Sequence, residues 1–220
     1  MASIKAVVFD IGGILETIPE GGDPTARFPQ MMTRWEQRLG MALGALSEQI
    51  GGVDAGLKDA GKDGALGSCT YDEWVSGVRA ATGWDAMTTD AFVDNFWETY
   101  IGEPNPELMA YFIGLRPRYK TALLSNSFVG AREREQAARG FEEMTDLIVY
   151  SHEVGLAKPD PRIYALTCER LGIEPAEMIF LDDSQGHIAA ARAFGIRGVV
   201  FHDNAQAIRE IEALLAAHGA

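Results

Sequence analysis

The chain has 220 residues, 47% hydrophobic and 23% charged, the proportions of a soluble globular protein with one large domain or a core plus a small accessory domain. Nineteen Lys and Arg against 32 Asp and Glu leave a formal charge of −13, which argues against holding a nucleic-acid backbone or docking on an anionic membrane. Cys69 and Cys168 stand far apart with no CxxC and no Cys/His cluster, which excludes a disulfide scaffold and a structural zinc site of ordinary spacing.

The opening MASIKAVVFD has an apolar run too short for a secretory signal, and no stretch approaches the ~20 apolar residues of a membrane span. A cytoplasmic location is the expectation. Ile4–Phe9 is a short β-rich run closed by Asp10, the pattern of a strand buried on both faces of a parallel sheet. From about 17 to 102 no strand is expected. Phe28, Met32, Trp35 and Leu39 fall on one helical stripe, and Thr70-Tyr71-Asp72-Glu73 fits a capping box. Phe92, Val93, Phe96, Trp97, Tyr100 and Ile101 form a third stripe. All four Trp lie in this segment, and packing between helices is their expected role. Residues 51–67 hold six glycines and read as a flexible loop unable to sustain a helix.

Strand-like runs resume at Thr121–Leu124, Leu147–Tyr150, Met178–Leu181 and Gly198–Phe201. Helical patterns lie between and after them. In 160–171 the apolar face is Ile163, Tyr164, Thr167, Cys168 and Leu171; in 205–217 it is Ile208, Ile211 and Leu215. This alternation predicts an α/β fold, a Rossmann-like parallel sheet with helices on both faces. The helical segment is then an insertion after the first strand, giving a core of 1–16 plus 103–220 and a module of 17–102.

Ligands of such sheets bind at the carboxyl ends of the strands. There the chain places Asp10 followed by Gly12 and Gly13, then Ser125-Asn126-Ser127, then Asp182-Asp183-Ser184; Lys158-Pro159-Asp160-Pro161 opens a helix. Any one of these is an ordinary cap or turn. Together, at spacings of 115, 33 and 25 between Asp10, Ser125, Lys158 and Asp183, they resemble the motifs of the haloacid dehalogenase-like superfamily, whose members are mostly phosphatases. The inserted module lies where that family has its α-helical, substrate-selecting cap, with hinges implied near 15–19 and 101–106.

The resemblance implies a Mg²⁺-dependent phosphohydrolase acting on a small phosphorylated metabolite, such as a sugar phosphate. A phosphate monoester repels an anionic nucleophile, and a divalent cation on hard oxygen ligands offsets that repulsion. By resemblance Asp10 is the nucleophile that forms an aspartyl-phosphate. Asp10, the Gly12 carbonyl and Asp183 are the metal ligands, with Asp182 ranked below Asp183. Ser125 and Asn126 hold the phosphoryl group, and Lys158 offsets charge on the nucleophile and phosphoryl oxygens.

Two departures stand out. The usual second Asp, the general acid/base, is here Gly12; this Asp-x-Gly-Gly form resembles a subgroup near the phosphatase-like domain of epoxide hydrolases and sugar-phosphate phosphatases. Glu16 is a candidate substitute and also a candidate hinge residue. His187 stands where relatives place Asp or Asn near the metal, so it either hydrogen-bonds in the site or is an ordinary first-turn residue. Arg27, Arg34 and Arg38 are candidate contacts for a substrate anion. The alternatives are a metal-independent 2-haloacid dehalogenase, for which Asp182-Asp183 would be poorly compensated, and a catalytically silent phosphate- or metal-binding regulatory protein. A monomer and a homodimer are both compatible with the sequence.

Overall fold

The computed structural model describes residues 2–17 and 26–218. In chain order the elements are β1 (Ala6–Phe9), β2 (Glu16–Thr17), α1 (Arg27–Leu39), α2 (Ala45–Asp59), α3 (Tyr71–Thr82), α4 (Ala86–Ile101), β3 (Glu103–Pro104), α5 (Pro106–Leu115), β4 (Lys120–Ser125), α6 (Ala131–Arg139), α7 (Phe141–Met144), β5 (Leu147–Tyr150), α8 (Ser151–Val154), α9 (Pro161–Leu171), β6 (Met178–Asp182), α10 (Gln185–Phe194), β7 (Arg197–Val200) and α11 (Asn204–His218). Five strands form one parallel sheet in the order β5-β4-β1-β6-β7. β1 is central, with Phe9 in register with Leu123 on one side and Leu181 on the other.

Strand periodicity divides the core in two. Successive side chains point to opposite faces. Val7, Phe9, Leu123, Ile179 and Leu181 enter one apolar cluster, covered by α5 and α11. Ala6, Val8, Leu124, Met178 and Phe180 enter the other, covered by α9 and α10. The inward face of α9 is Ile163, Tyr164, Thr167, Cys168 and Leu171, the stripe expected from its sequence.

Helices α1–α4 have their own core, built from Met31, Met32, Trp35, Trp74, Phe92 and Trp97 among others. Trp35 meets Phe92 edge-on at 5.6 Å, and Trp84 packs against both rings. The tryptophans are packing residues, as expected. Thr70 and Glu73 form the expected capping box of α3. In α1 the stripe is rotated: Met31 is fully buried while Leu39 is 38% exposed. The chain enters and leaves this module through the antiparallel pair β2–β3, Glu16 opposite Pro104 and Thr17 opposite Glu103. Residues 18–25, which include part of the expected first hinge and the start of the expected module, lie outside the described residues.

The reading of 51–67 as a helix-free loop is overturned in its first part. Gly51, Gly52 and Gly56 lie within α2. Leu46, Ile50, Val53 and Leu57 give that helix an inward stripe at helical spacing, and this tertiary contact outweighs its poor intrinsic propensity. Its start is satisfied from a distance. The buried Glu36 carboxylate accepts from the Gly44 and Leu46 amides, each at 2.9 Å. The remainder, 60–67, is irregular but seated on the sheet domain: the Gly64 carbonyl accepts from the Val129 amide at 3.1 Å, and the Ala65 carbonyl from the Ser151 hydroxyl at 2.8 Å.

Candidate functional site

The site forms where strand periodicity brings like-facing residues to the carboxyl edge. Asp10 continues the Ala6, Val8 parity of β1, and Asp182 continues the Met178, Phe180 parity of β6. The two strands are hydrogen-bonded neighbours, and the Asp10 amide still donates to the Leu181 carbonyl at 2.9 Å. Both carboxylates therefore face the α9 side, and the loop before α9 delivers Lys158 between them. The Lys158 ammonium lies 2.8 Å from Asp10 Oδ1 and 2.7 Å from Asp182 Oδ2, and donates to the Leu124 carbonyl at 2.9 Å. All three residues are buried.

Asn126 fixes this lysine through its main chain. Its amide nitrogen donates to the Lys158 carbonyl and its Oδ1 accepts from the Lys158 N–H, both at 2.8 Å. Ser125 ends β4 beside Asp10 and lines the same cavity.

Asp182 is saturated. Besides Lys158 it accepts from the Ser184 amide at 2.8 Å and pairs with His187 Nδ1 at 3.0 and 3.1 Å. Burial opposes its ionisation, but the His187 hydrogen bond and Lys158 overcome that and hold its pKa below the usual carboxylate range. Asp10 shifts the other way: burial pushes it up, Lys158 counteracts only in part, and Asp182 adds repulsion.

Asp183 has the opposite strand parity and looks into the open cavity. A Cβ on Gly13 would collide with its Oδ2, so Gly13, at φ 77°, is what lets this carboxylate approach the Asp10 loop. Its pKa is raised, first by burial and then by Asp182.

The donor chemistry fits a hard divalent cation on this open side. Two carboxylates, Asp10 and Asp183, both bind protons more tightly than usual, and Gly12, in the loop that follows Asp10, lines the same cavity. One oxygen each of Asp10 and Asp182 and a ring nitrogen of His187 also lie within 4.8 Å of one another. Lys158 offsets one charge of that pair of acids, and Asp182 is already engaged by Lys158, the Ser184 amide and His187.

The cavity has a volume of about 450 Å³. Asp10, Gly12, Ser125, Asn126, Asp183 and His187 line its sheet side; Thr17, Arg27 and Tyr100 come from the module and its entrance. Of the three candidate anion contacts, Arg27 reaches the cavity. Arg34 and Arg38 lie elsewhere on α1, and Arg38 stacks over Trp35 at 4.9 Å.

Glu16 lies in β2, where the chain enters the helical module, and lines the cavity. Burial pushes its pKa up, Glu135 adds to this, and Arg139 and Arg27 oppose it. Arg139 Nε stands 3.5 Å from Glu16 Oε1. Glu135, on α6, lines the cavity too, accepts from the Tyr150 hydroxyl and is itself raised, first by burial. Nothing in the sequence marks Glu135, because α6 reads as polar on every side.

A family model described as a haloacid dehalogenase-like hydrolase matches residues 4–195. Bifunctional epoxide hydrolase 2 of Sus scrofa is 27% identical over 96% of this chain, which spans only 38% of that protein. Phosphatase MT3486 of Mycobacterium tuberculosis (strain CDC 1551 / Oshkosh) is 26% identical, covering 93% of this chain and 90% of the other. Over a shorter stretch, 37% of this chain and 36% of the relative, (S)-2-haloacid dehalogenase 1 of Pseudomonas sp. (strain CBS-3) is 33% identical. Among solved structures, a HAD family enzyme of Bacteroides thetaiotaomicron in complex with magnesium and inorganic phosphate superposes with a TM-score of 0.68 at 21% identity, covering 93% of this chain and 98% of that one. No helix among the described residues is long and apolar enough to cross a membrane.

Proposed function

The chain belongs to the haloacid dehalogenase-like hydrolases, and from that premise we propose that it is a Mg²⁺-dependent phosphohydrolase acting on a small phosphorylated metabolite, with α1–α4 as the substrate-selecting cap. The observation that carries this reading is the surplus acid at the sheet edge. Lys158 offsets only one charge of the Asp10–Asp182 pair, and Asp183 adds a third carboxylate facing the cavity. A metal-free dehalogenase would leave that charge uncompensated. Mg²⁺ held by Asp10, Asp183 and the Gly12 carbonyl would supply neutralisation of the substrate's phosphoryl charge.

The protein's own groups divide the remaining work. Asp10 is anchored by the Ile11 amide at 2.8 Å and by Lys158, both through Oδ1, leaving Oδ2 as the attacking atom. Attack on phosphorus gives an aspartyl-phosphate, which water hydrolyses. Lys158 favours the ionised form of the nucleophile and orients it, and Ser125 donates to a phosphoryl oxygen. The Asn126 main chain serves the same phosphoryl group while its side chain fixes Lys158. A volume of about 450 Å³ suits a metabolite rather than a polymer. The relatedness to one phosphatase over nearly the whole chain supports the choice.

Release of phosphate from p-nitrophenyl phosphate tests it, with 2-chloropropionate as a parallel substrate. The expected result is Mg²⁺-dependent phosphate release that Asp10→Asn reduces by at least 10³-fold and EDTA abolishes. Metal-independent chloride release without phosphatase activity would establish the dehalogenase reading instead. Metal binding without turnover of either substrate class would favour a silent binding protein.

A further inference from the structure

Ser125 and Asn126 have roles in the proposed reaction, and Ser127, the next residue of the same turn, has none. Its surroundings give it one. β4 and β5 are parallel neighbours with Ser125 in register with Tyr150, so Ser127 and Ser151, just beyond the two strand ends, meet. The Ser127 amide donates to the Ser151 hydroxyl oxygen at 2.9 Å, and the Ser127 hydroxyl pairs with His152 Nδ1 at 2.6 Å. Both serines are buried.

The Ser151 hydroxyl has one hydrogen to give and two acceptors within reach. The nearer is the Ala65 carbonyl of the helical module, at 2.8 Å, and the other is the Ser127 carbonyl, at 3.2 Å. With the 63–67 loop seated, the hydrogen goes to the module. With the loop withdrawn, it turns to Ser127 and holds the 125–127 turn differently. The seat is a fitted one. The Gly64 carbonyl accepts from the Val129 amide at 3.1 Å. A Cβ on Gly64 would collide with the Phe128 ring, which Trp74 and Phe96 hold at 5.3 and 6.3 Å, and a Cβ on Gly67 would collide with the His152 carbonyl.

We propose that Ser151 is a positioning residue that couples docking of the 63–67 loop to the phosphoryl-binding turn 125–127. The inference rests on the phosphohydrolase reading, in which Ser125 and the Asn126 main chain hold the phosphoryl group. The Asn126 side chain also grips the Lys158 main chain at two points, so a shift of the turn reaches that lysine. Coupling of this kind is reciprocal: a seated loop tightens phosphate binding, and bound phosphate tightens the loop.

Inorganic phosphate with Mg²⁺ is the probe, its binding followed by calorimetry and the loop by amide hydrogen exchange over 60–69. In the wild type, saturating phosphate should slow exchange in the loop. Ser151→Ala should abolish that response, weaken phosphate binding about five-fold or more, and lower kcat/KM for p-nitrophenyl phosphate roughly ten- to 100-fold. Ser151→Thr, which keeps the hydroxyl, should restore most of both. Gly64→Ala, which unseats the loop from the module's side, should weaken phosphate to a similar degree. The double variant should be no worse than Ser151→Ala alone, because the two changes break one link. Additive losses would make the two contacts independent and overturn the proposal. So would phosphate that saturates the wild type while loop exchange stays unchanged, an outcome that needs no variant to fold. A wild type that neither binds phosphate nor hydrolyses the ester would instead remove the phosphohydrolase reading, and this inference with it.

Discussion

The sheet edge and the helical module solve different problems. At the edge, Asp10, Lys158 and Asp182 are all buried, and each is tolerable only because the others are within hydrogen-bond distance. In the module the interior is aromatic and aliphatic, and buried polar groups such as Glu36 serve to close a helix end. Removing one member should therefore be costly at the edge. The module, with a glycine-rich helix that only packing sustains, should gain from some substitutions. Between them lies a boundary, Glu16 with Glu135, where burial outweighs the Arg139 and Tyr150 contacts and both acids are raised.

The largest expected effect is at the edge. Lys158→Ala leaves two buried carboxylates facing each other. Breaking a buried ion pair in this way costs about 3–5 kcal/mol, and here one of the two acids would have to take up a proton. The measurement is urea unfolding of wild type and variant near pH 7. Lys158→Met, which fills the same space without charge, should be nearly as destabilised. A cost below about 1 kcal/mol for both would mean that the edge is hydrated and that the contrast with the module is false.

How much of this could be read beforehand follows the same division. The strand ends were legible because short β-rich runs stop at Asp10, Ser125 and Asp182, and alternation carries each strand's parity one residue further. That same parity distinguishes Asp182, which meets Lys158, from Asp183, which faces the cavity. Spacing alone does not, since the two are adjacent. Glu135 was illegible because its burial comes from the module closing over α6, not from any stripe in its own helix. The course of α2 was hidden for a related reason. Its glycines argue against a helix locally, and the contacts that outweigh them lie on α1 and α3.

A smaller effect is expected at the boundary. Glu16 has its pKa raised by burial and by Glu135, with Arg139 and Arg27 on the other side. A carboxyl raised in the folded state binds more protons folded than unfolded. Its contribution is complete below its ordinary value of 4.5 and is lost as pH climbs towards the raised value. Glu16→Gln stays neutral throughout. The variant should lose less stability than wild type between pH 5.5 and 8.5, by on the order of 1 kcal/mol. Thermal melts at the two pH values check this, and parallel pH dependences would mean that Arg139 and Arg27 already neutralise the acid.

The smallest effect should have the opposite sign. Gly51 lies within α2, is exposed, and a Cβ there meets nothing within 4 Å. Alanine at this position restricts the unfolded chain and favours the helix without disturbing any contact, so Gly51→Ala should stabilise by about 0.5–1 kcal/mol. Gly77→Ala on α3 is the control, because a Cβ there would stand 2.7 Å from Val53 Cγ1 and push the two helices apart. Stabilisation at 51 with destabilisation at 77, both measured by chemical denaturation, would mean that α2 is held by its contact with α3 and weakened by its own sequence. If Gly51→Ala proved neutral or destabilising, glycine would be serving a purpose there other than local economy, and the module would share the edge's intolerance of change.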